Sequence, residues 1–177
     1  MKSIFLTAVC ILCFACGNNA QNKPATKPEI ANAKPVEVPL ENGMAKAYFA
    51  SGCFWCVEAV YESVKGVKEA VSGYSGGHTK NPTYEQSNTG RTGHAESVEV
   101  IYDPKVVSFE TLVKVYFGSQ NPTQVNGQGP DHGSQYRSII FYQDEQQKQT
   151  IEKIKAEVAK NYDKPIAAEI LPFQKFW

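Results

Sequence analysis

The chain has 177 residues with 18 basic against 18 acidic side chains, a formal net charge of zero and a pI near 6.8. That length has room for one domain with a proper core. Balanced charge without a basic stripe or a long run of one sign excludes the electrostatic footprint of a nucleic-acid binder.

Met1-Lys2 leads into an apolar stretch at 4–15. About a dozen residues match a signal peptide and are too few to span a bilayer. The stretch ends in Leu12-Cys13-Phe14-Ala15-Cys16-Gly17. A small residue before a cysteine resembles the cleavage site of bacterial lipoproteins, although Cys13 stands where an aliphatic residue is usual. Residues 1–16 are therefore read as a signal peptide, with Cys16 the lipidated N-terminus of an exported envelope protein. Cys10 and Cys13 leave with the signal. Residues 17–43 turn to Asn, Lys, Pro, Ala and Glu, with prolines at 24, 28, 35 and 39 and no hydrophobic period, which reads as a flexible tether. The folded domain is expected at 44–177.

In that domain, Ala47-Tyr48-Phe49-Ala50 is a short apolar run of strand type. Where it gives way to a helical pattern stands Gly52-Cys53-Phe54-Trp55-Cys56-Val57-Glu58. The first turn of a helix offers unpaired N–H groups and the positive end of the dipole, a place where a protein can make a thiolate. Neighbours three apart on a helix have Cβ atoms roughly 5–6 Å apart, within reach of a disulfide after small adjustments. A structural zinc site would need two further ligands at similar spacing. The chain has no second Cys-x-x-Cys and no His-x-x-x-His, so no metal is expected and redox chemistry is favoured over zinc or inert burial.

Val57, Val60, Tyr61 and Val64 then repeat at i, i+3, i+4, i+7, and Gly66 ends the helix. A second strand is expected at 67–73, followed by a long loop rich in Gly and Asn through Gly93. Val98, Val100 and Tyr102 alternate with polar residues in a third strand that closes at Asp103-Pro104. Ser108 caps a second helix burying Phe109, Leu112, Val113 and Tyr116. A polar loop at 118–134 leads to a fourth strand around Ser138-Ile139-Ile140-Phe141-Tyr142. Asp144 and Gln147 have the spacing of a capping box for a third helix burying Ile151, Ile154 and Val158, and a last strand is expected at 167–171. The order β-α-β-β-α-β plus α-β begins as the split βαβ arrangement of ferredoxin-like folds. The fold class is α+β, a mixed sheet with helices packed on one face.

Loops as long as 74–93 and 118–134 usually carry function, and these hold the remaining chemical residues. Gly73-Tyr74-Ser75-Gly76-Gly77, Pro82-Thr83-Tyr84 and Thr92-Gly93-His94-Ala95-Glu96 lie in or beside the first. Gly133-Ser134-Gln135-Tyr136-Arg137-Ser138 closes the second. Together with Gly52-Cys53-Phe54-Trp55 these motifs, in this order, resemble the peptide-methionine sulfoxide reductases of the A type, from about Ala47 onward.

The resemblance implies reduction of the S epimer of methionine sulfoxide, free or in oxidised proteins, and so protein repair. Cys53 would attack the sulfoxide sulfur while Glu96, assisted by the hydroxyls of Tyr84 and Tyr136, protonates the oxygen. Asp131 would hold a nearby part of the site together. A carboxyl donates a proton at neutral pH only when burial raises its pKa, so Glu96 is expected to be shielded and close to Cys53. Phe54 and Trp55 would wall the substrate's methyl group, and His78, His94 and His132 are given structural roles. Attack leaves a sulfenic acid on Cys53 that Cys56 converts to a disulfide, which thioredoxin or a similar dithiol reopens without metal or organic cofactor. Many family members carry glycine in place of Cys56 and a resolving cysteine near the C-terminus. They also continue past an aromatic segment like 173–177 with an acidic and aromatic tail, and the expectation for this site is drawn without one. The protein is expected to be a monomer. Two other classes remain open: an envelope thiol-disulfide oxidoreductase, which would not need Glu96 or Tyr136, and a lipoprotein that captures methionine peptides without turnover.

Overall fold

In strand β1 (Ala45–Ala50) alternate side chains enter two different clusters: Ala47 and Phe49 lie beneath the helices, and Tyr48 and Ala50 face the opposite way. A strand covered on both sides reads as an unbroken apolar run, which is why 47–50 shows no polar alternation. The structure, a computed structural model, describes residues 27–177. The leader 1–16, Cys16 and the first part of the expected tether lie outside the described residues.

β1 is central, pairing antiparallel with β3 (Ala95–Tyr102) on one side and with β6 (Ile139–Tyr142) on the other. β2 (Val67–Ser75) pairs antiparallel with β3, and β7 (Glu169–Pro172) runs parallel to β6, giving the order β2-β3-β1-β6-β7. This is the expected split βαβ sheet with one parallel strand added at its edge. Helices α2 (Phe54–Glu62), α4 (Phe109–Gly118) and α5 (Glu145–Ala159) cover one face. Phe54, Val57 and Tyr61 of α2 meet Leu112, Val113 and Tyr116 of α4 and Ile151 and Ile154 of α5 in the main core. Phe109 and Val158, expected on buried faces, are only partly covered.

The long loops contain structure that alternation and helical period did not reveal. A one-turn helix α3 (Tyr84–Asn88) has a full capping box, with Thr83 and Gln86 each bonding the other's backbone N–H. The second loop folds as a small hairpin of β4 (Gly127–Gln128) and β5 (Asp131–His132), then a 3₁₀ turn at Ser134–Tyr136.

The sheet's other face is covered by segments from both ends of the described chain. The stretch expected as a tether includes a short helix α1 (Lys27–Ala31), and beyond it the N–H groups of Val36 and Val38 donate to Phe173 O (2.8 Å) and Gln143 Oε1 (2.9 Å). Pro35 and Pro39 favour extended backbone, and the valines between them keep free N–H groups for a neighbour. From β7 the chain turns back over this face: Phe173 stacks on Tyr48 at 3.8 Å, and Trp177 exchanges two backbone hydrogen bonds with Tyr74 (3.0 and 3.1 Å). Gly73 permits this crossing, since the space of a Cβ there is filled by the Trp177 carbonyl and the Phe176 ring. Among the described residues no helix is long and apolar enough to cross a membrane.

Candidate active site

The turn from β1 into α2 requires glycine at position 52. Gly52 has φ +74°, and a Cβ on it would lie 2.6 Å from the Cβ of Gln128. Its N–H donates to the carbonyl of Tyr136 (3.2 Å), which brings the 3₁₀ turn beside the start of the helix. Cys53 follows as the residue preceding the first helical position, with φ −60° and ψ 121°, and its carbonyl accepts from Cys56 N (3.1 Å) and Val57 N (3.3 Å).

The first N–H groups of a helix have no partner within it. That of Phe54 donates to Glu96 Oε2 at 3.0 Å, so a carboxyl from β3, 42 residues away in sequence, sits at the helix start beside Cys53. Glu96 is 2% exposed. Burial pushes its carboxyl above the usual range against the opposing pull of the Phe54 N–H, and the charge of Asp131 pushes it further.

Tyr136 is half-buried, and burial, then the negative charges available to Glu96, Tyr84, Asp131 and Cys53, push its phenol up. One hydroxyl therefore lies in the electrostatic neighbourhood of four of the residues singled out from sequence. Asp131 comes from the β4–β5 hairpin. Tyr84 opens α3, with its ring centroid 6.1 Å from Trp55 and 6.3 Å from Phe54. Phe54 is 5% exposed and belongs to the core as well as to the site, whereas Trp55 at 61% and Tyr84 at 41% stand open to solvent.

Both cysteines are free thiols, Cys53 partly covered and Cys56 exposed. Partial desolvation pushes the Cys56 thiol up, and the adjoining Cys53 sulfur and Asp131 add to this. His94 is buried, and burial pushes its imidazole down. Its Nδ1 accepts from Gly77 N (3.1 Å) and its Nε2 donates to Thr79 O (2.7 Å), which clasps the turn after β2. His78 and His132 are exposed. Among the described residues no group of three or more His, Cys, Asp or Glu is placed to hold a metal ion.

Tyr74, from the Gly73-Tyr74-Ser75-Gly76-Gly77 motif, also belongs to the site. It faces Glu96 across the β2–β3 ladder, and its ring lies 5.8 Å from Phe54. Burial, then the charges of Glu96, Tyr84 and Glu85, push its hydroxyl up to about 12. The signal for it was its inward position in the strand, but the partner across the ladder depends on register.

The description of the peptide methionine sulfoxide reductase family matches residues 45–177 of the chain. The peptide methionine sulfoxide reductase MsrA of Pasteurella multocida is 49% identical over 132 residues, covering 75% of this chain and 76% of its own. That of Methanosarcina acetivorans is 48% identical over 160 residues, covering 89% of this chain and 84% of its own. Among solved structures, Mxr1 from Saccharomyces cerevisiae in reduced form superposes with a TM-score of 0.70 at 30% identity, over 80% of this chain and 82% of its own. The same yeast protein in complex with Trx2 superposes with a TM-score of 0.57 at 22% identity, over 79% of this chain and 84% of its own.

Proposed function

The chain belongs to the peptide methionine sulfoxide reductase family, and we propose that it reduces the S epimer of methionine sulfoxide to methionine through Cys53. The observation that carries this is the 3.0 Å bond from Phe54 N–H to Glu96, which holds a buried acid beside the residue that follows the nucleophile. The Cys53 thiolate attacks the sulfoxide sulfur while Glu96 gives its proton to the oxygen, and the phenols of Tyr136 and Tyr84 donate hydrogen bonds to that oxygen. As the S–O bond breaks the oxygen passes to Cys53, which becomes a sulfenic acid, and methionine leaves as the thioether. The substrate sulfur gains two electrons and the Cys53 sulfur loses two. The Cys56 thiol then attacks the sulfenic sulfur, and its proton and the hydroxyl leave as water.

The exposed Cys56 sulfur suits recycling by an external dithiol. Thioredoxin is the proposed reductant, in keeping with the yeast relative solved in complex with Trx2. No metal or organic cofactor takes part in these steps. Phe54 and Trp55 with Tyr84 form the aromatic wall for the methyl group. Asp131 holds the hairpin side of the site, and its charge adds to the upward push of burial on the Glu96 carboxyl. From the leader, we place the protein at the cell envelope, exported and anchored by a lipid on Cys16, acting as a monomer on oxidised proteins or free methionine sulfoxide.

The deciding assay incubates the protein with each epimer of a blocked methionine sulfoxide and dithiothreitol. Loss of the S epimer alone is expected. Equal loss of both, or of neither, contradicts the proposal. A thiol-disulfide exchange protein would have no use for the buried Glu96 carboxyl at the helix start, so Glu96→Gln would leave such an activity intact.

A further inference from the structure

One side chain outside the reacting group touches all three chain segments that carry Cys53, Tyr136 and Asp131. Gln120 lies just beyond α4, ahead of Asn121-Pro122. Its Oε1 accepts from Ser138 Oγ (2.8 Å), from Gln128 Nε2 (2.9 Å) and from Ser51 Oγ. Each donor belongs to a different part of the site. Ser51 precedes Gly52 and Cys53, Ser138 lies two residues beyond Tyr136, and Gln128 pairs with Asp131 across the hairpin.

The rest of the network makes these three bonds directional. Gln128 is held a second time by Asn121, whose N–H donates to Gln128 Oε1 (3.0 Å) and whose carbonyl accepts from Gln128 Nε2 (3.1 Å). The Cβ of Gln128 sits against Gly52, in the space a side chain there would take. The Tyr116 hydroxyl, beside the Gln120 amide, donates to Ala50 O (2.9 Å) and ties down the end of β1. Ser51 and Ser138 are 7% and 2% exposed, so neither hydroxyl has bulk water as a substitute partner. A carbonyl oxygen has two lone pairs, and one serving three donors joins them as a unit rather than as separate pairs.

We infer that Gln120 is a positioning residue for the proposed reduction, setting Cys53, Tyr136 and Asp131 relative to one another without touching substrate. The inference rests on the reductase reading. Misplacement of reacting groups by about 1 Å costs on the order of 100-fold in rate, so loss of the shared acceptor acts on turnover. Substrate binding uses Phe54, Trp55 and Tyr84, whereas the hydrogen bonds to Gln120 Oε1 come from Ser51, Gln128 and Ser138. A second consequence separates placement from folding: Asp131 adds to the upward push on Glu96, so a hairpin that drifts outward lets the Glu96 carboxyl ionise at lower pH.

The test measures steady-state reduction of the blocked S-sulfoxide with dithiothreitol across pH for the full chain, Gln120→Met and Gln120→Glu, with Ile154→Val in α5 as a control for destabilisation. In Gln120→Met kcat is expected to fall 10- to 100-fold with KM within threefold, and the alkaline limb of the pH profile to move to lower pH. Glu at this position can accept the same three bonds and is expected to restore kcat to within fivefold of the parent. Should Gln120→Met not fold, Ser138→Ala removes one of the three bonds and is expected to lower kcat 3- to 10-fold with the same direction of pH shift. An active parent matched in kcat and pH profile by Gln120→Met, or by Ser138→Ala where the former does not fold, overturns the positioning role alone. So does a loss that Glu fails to restore or that Ile154→Val reproduces. A parent that releases no methionine from either epimer overturns the reductase reading and takes this inference with it.

Discussion

Replacing Glu96 by Gln removes a proton while leaving the local structure in place. Oε1 of a glutamine can still accept the Phe54 N–H bond that is 3.0 Å long in the parent, so the helix start avoids the roughly 1–3 kcal/mol cost of an orphaned buried donor. What disappears is general acid catalysis, worth about 10²–10⁴-fold. Because the Tyr136 phenol, held protonated by its raised pKa, still donates to the oxygen, the loss belongs at the lower end, about 10²–10³-fold, or ~3–4 kcal/mol of barrier. The assay is a single-turnover measurement of methionine release from the S-sulfoxide with reduced enzyme and no added dithiol. The parent rate is expected to fall as pH rises through the raised Glu96 pKa, and the variant is expected to lose that limb. Stability supplies an independent sign. The folded protein holds the Glu96 proton more tightly than the unfolded chain. The carboxyl's contribution is therefore fully present below the ordinary carboxylate value of 4.5 and is lost as pH rises through the raised value. The variant should lack this loss and unfold at the same or higher denaturant concentration than the parent at pH 7. Single-turnover rates within threefold of the parent, with the alkaline limb retained, would refute the assignment of Glu96 as the acid.

Cys56→Ser should still release one equivalent of methionine per chain, leaving a sulfenic acid on Cys53 that a dimedone-type probe captures by mass, while turnover with thioredoxin falls at least 100-fold. Unchanged thioredoxin-dependent turnover would remove Cys56 from the cycle. Gly52→Ala combines a left-handed backbone with a clash against Gln128 and should cost ~2–4 kcal/mol by urea denaturation, together with most activity; a change below 0.5 kcal/mol would contradict the geometry. Phe49→Ala empties a fully buried site stacked on Tyr61 at 4.8 Å and should cost about 3–5 kcal/mol, read as a lower urea midpoint at unchanged slope.

Much of this protein follows from interactions a few residues long. Helix α4 starts at Ser108 because a serine side chain accepts from Thr111 N (3.1 Å), and α5 starts at Asp144 because its carboxylate accepts from Gln147 N (2.7 Å). The motif around Cys53, the apolar period of α2 and the alternation of β3 are local in the same sense, so they announced the elements, their order and the two thiols. The spacing Thr83-x-x-Gln86 is an equally local signal for α3, but a helix of one turn has no apolar period to accompany it. Burial of Glu96 is of another kind. Nothing near it in sequence distinguishes it from an exposed carboxylate at a strand start; its environment is created by Phe54, 42 positions away, and by the register that sets it opposite Tyr74. The bonds that gather Ser51, Gln128 and Ser138 on Gln120, and the return of 173–177 over the second face of the sheet, likewise exist only once the strands have paired. Side-chain period and capping act within about four residues and so are written along the chain. Desolvation and the meeting of donors with acceptors depend on what the tertiary fold packs around each group, and that was settled in three dimensions.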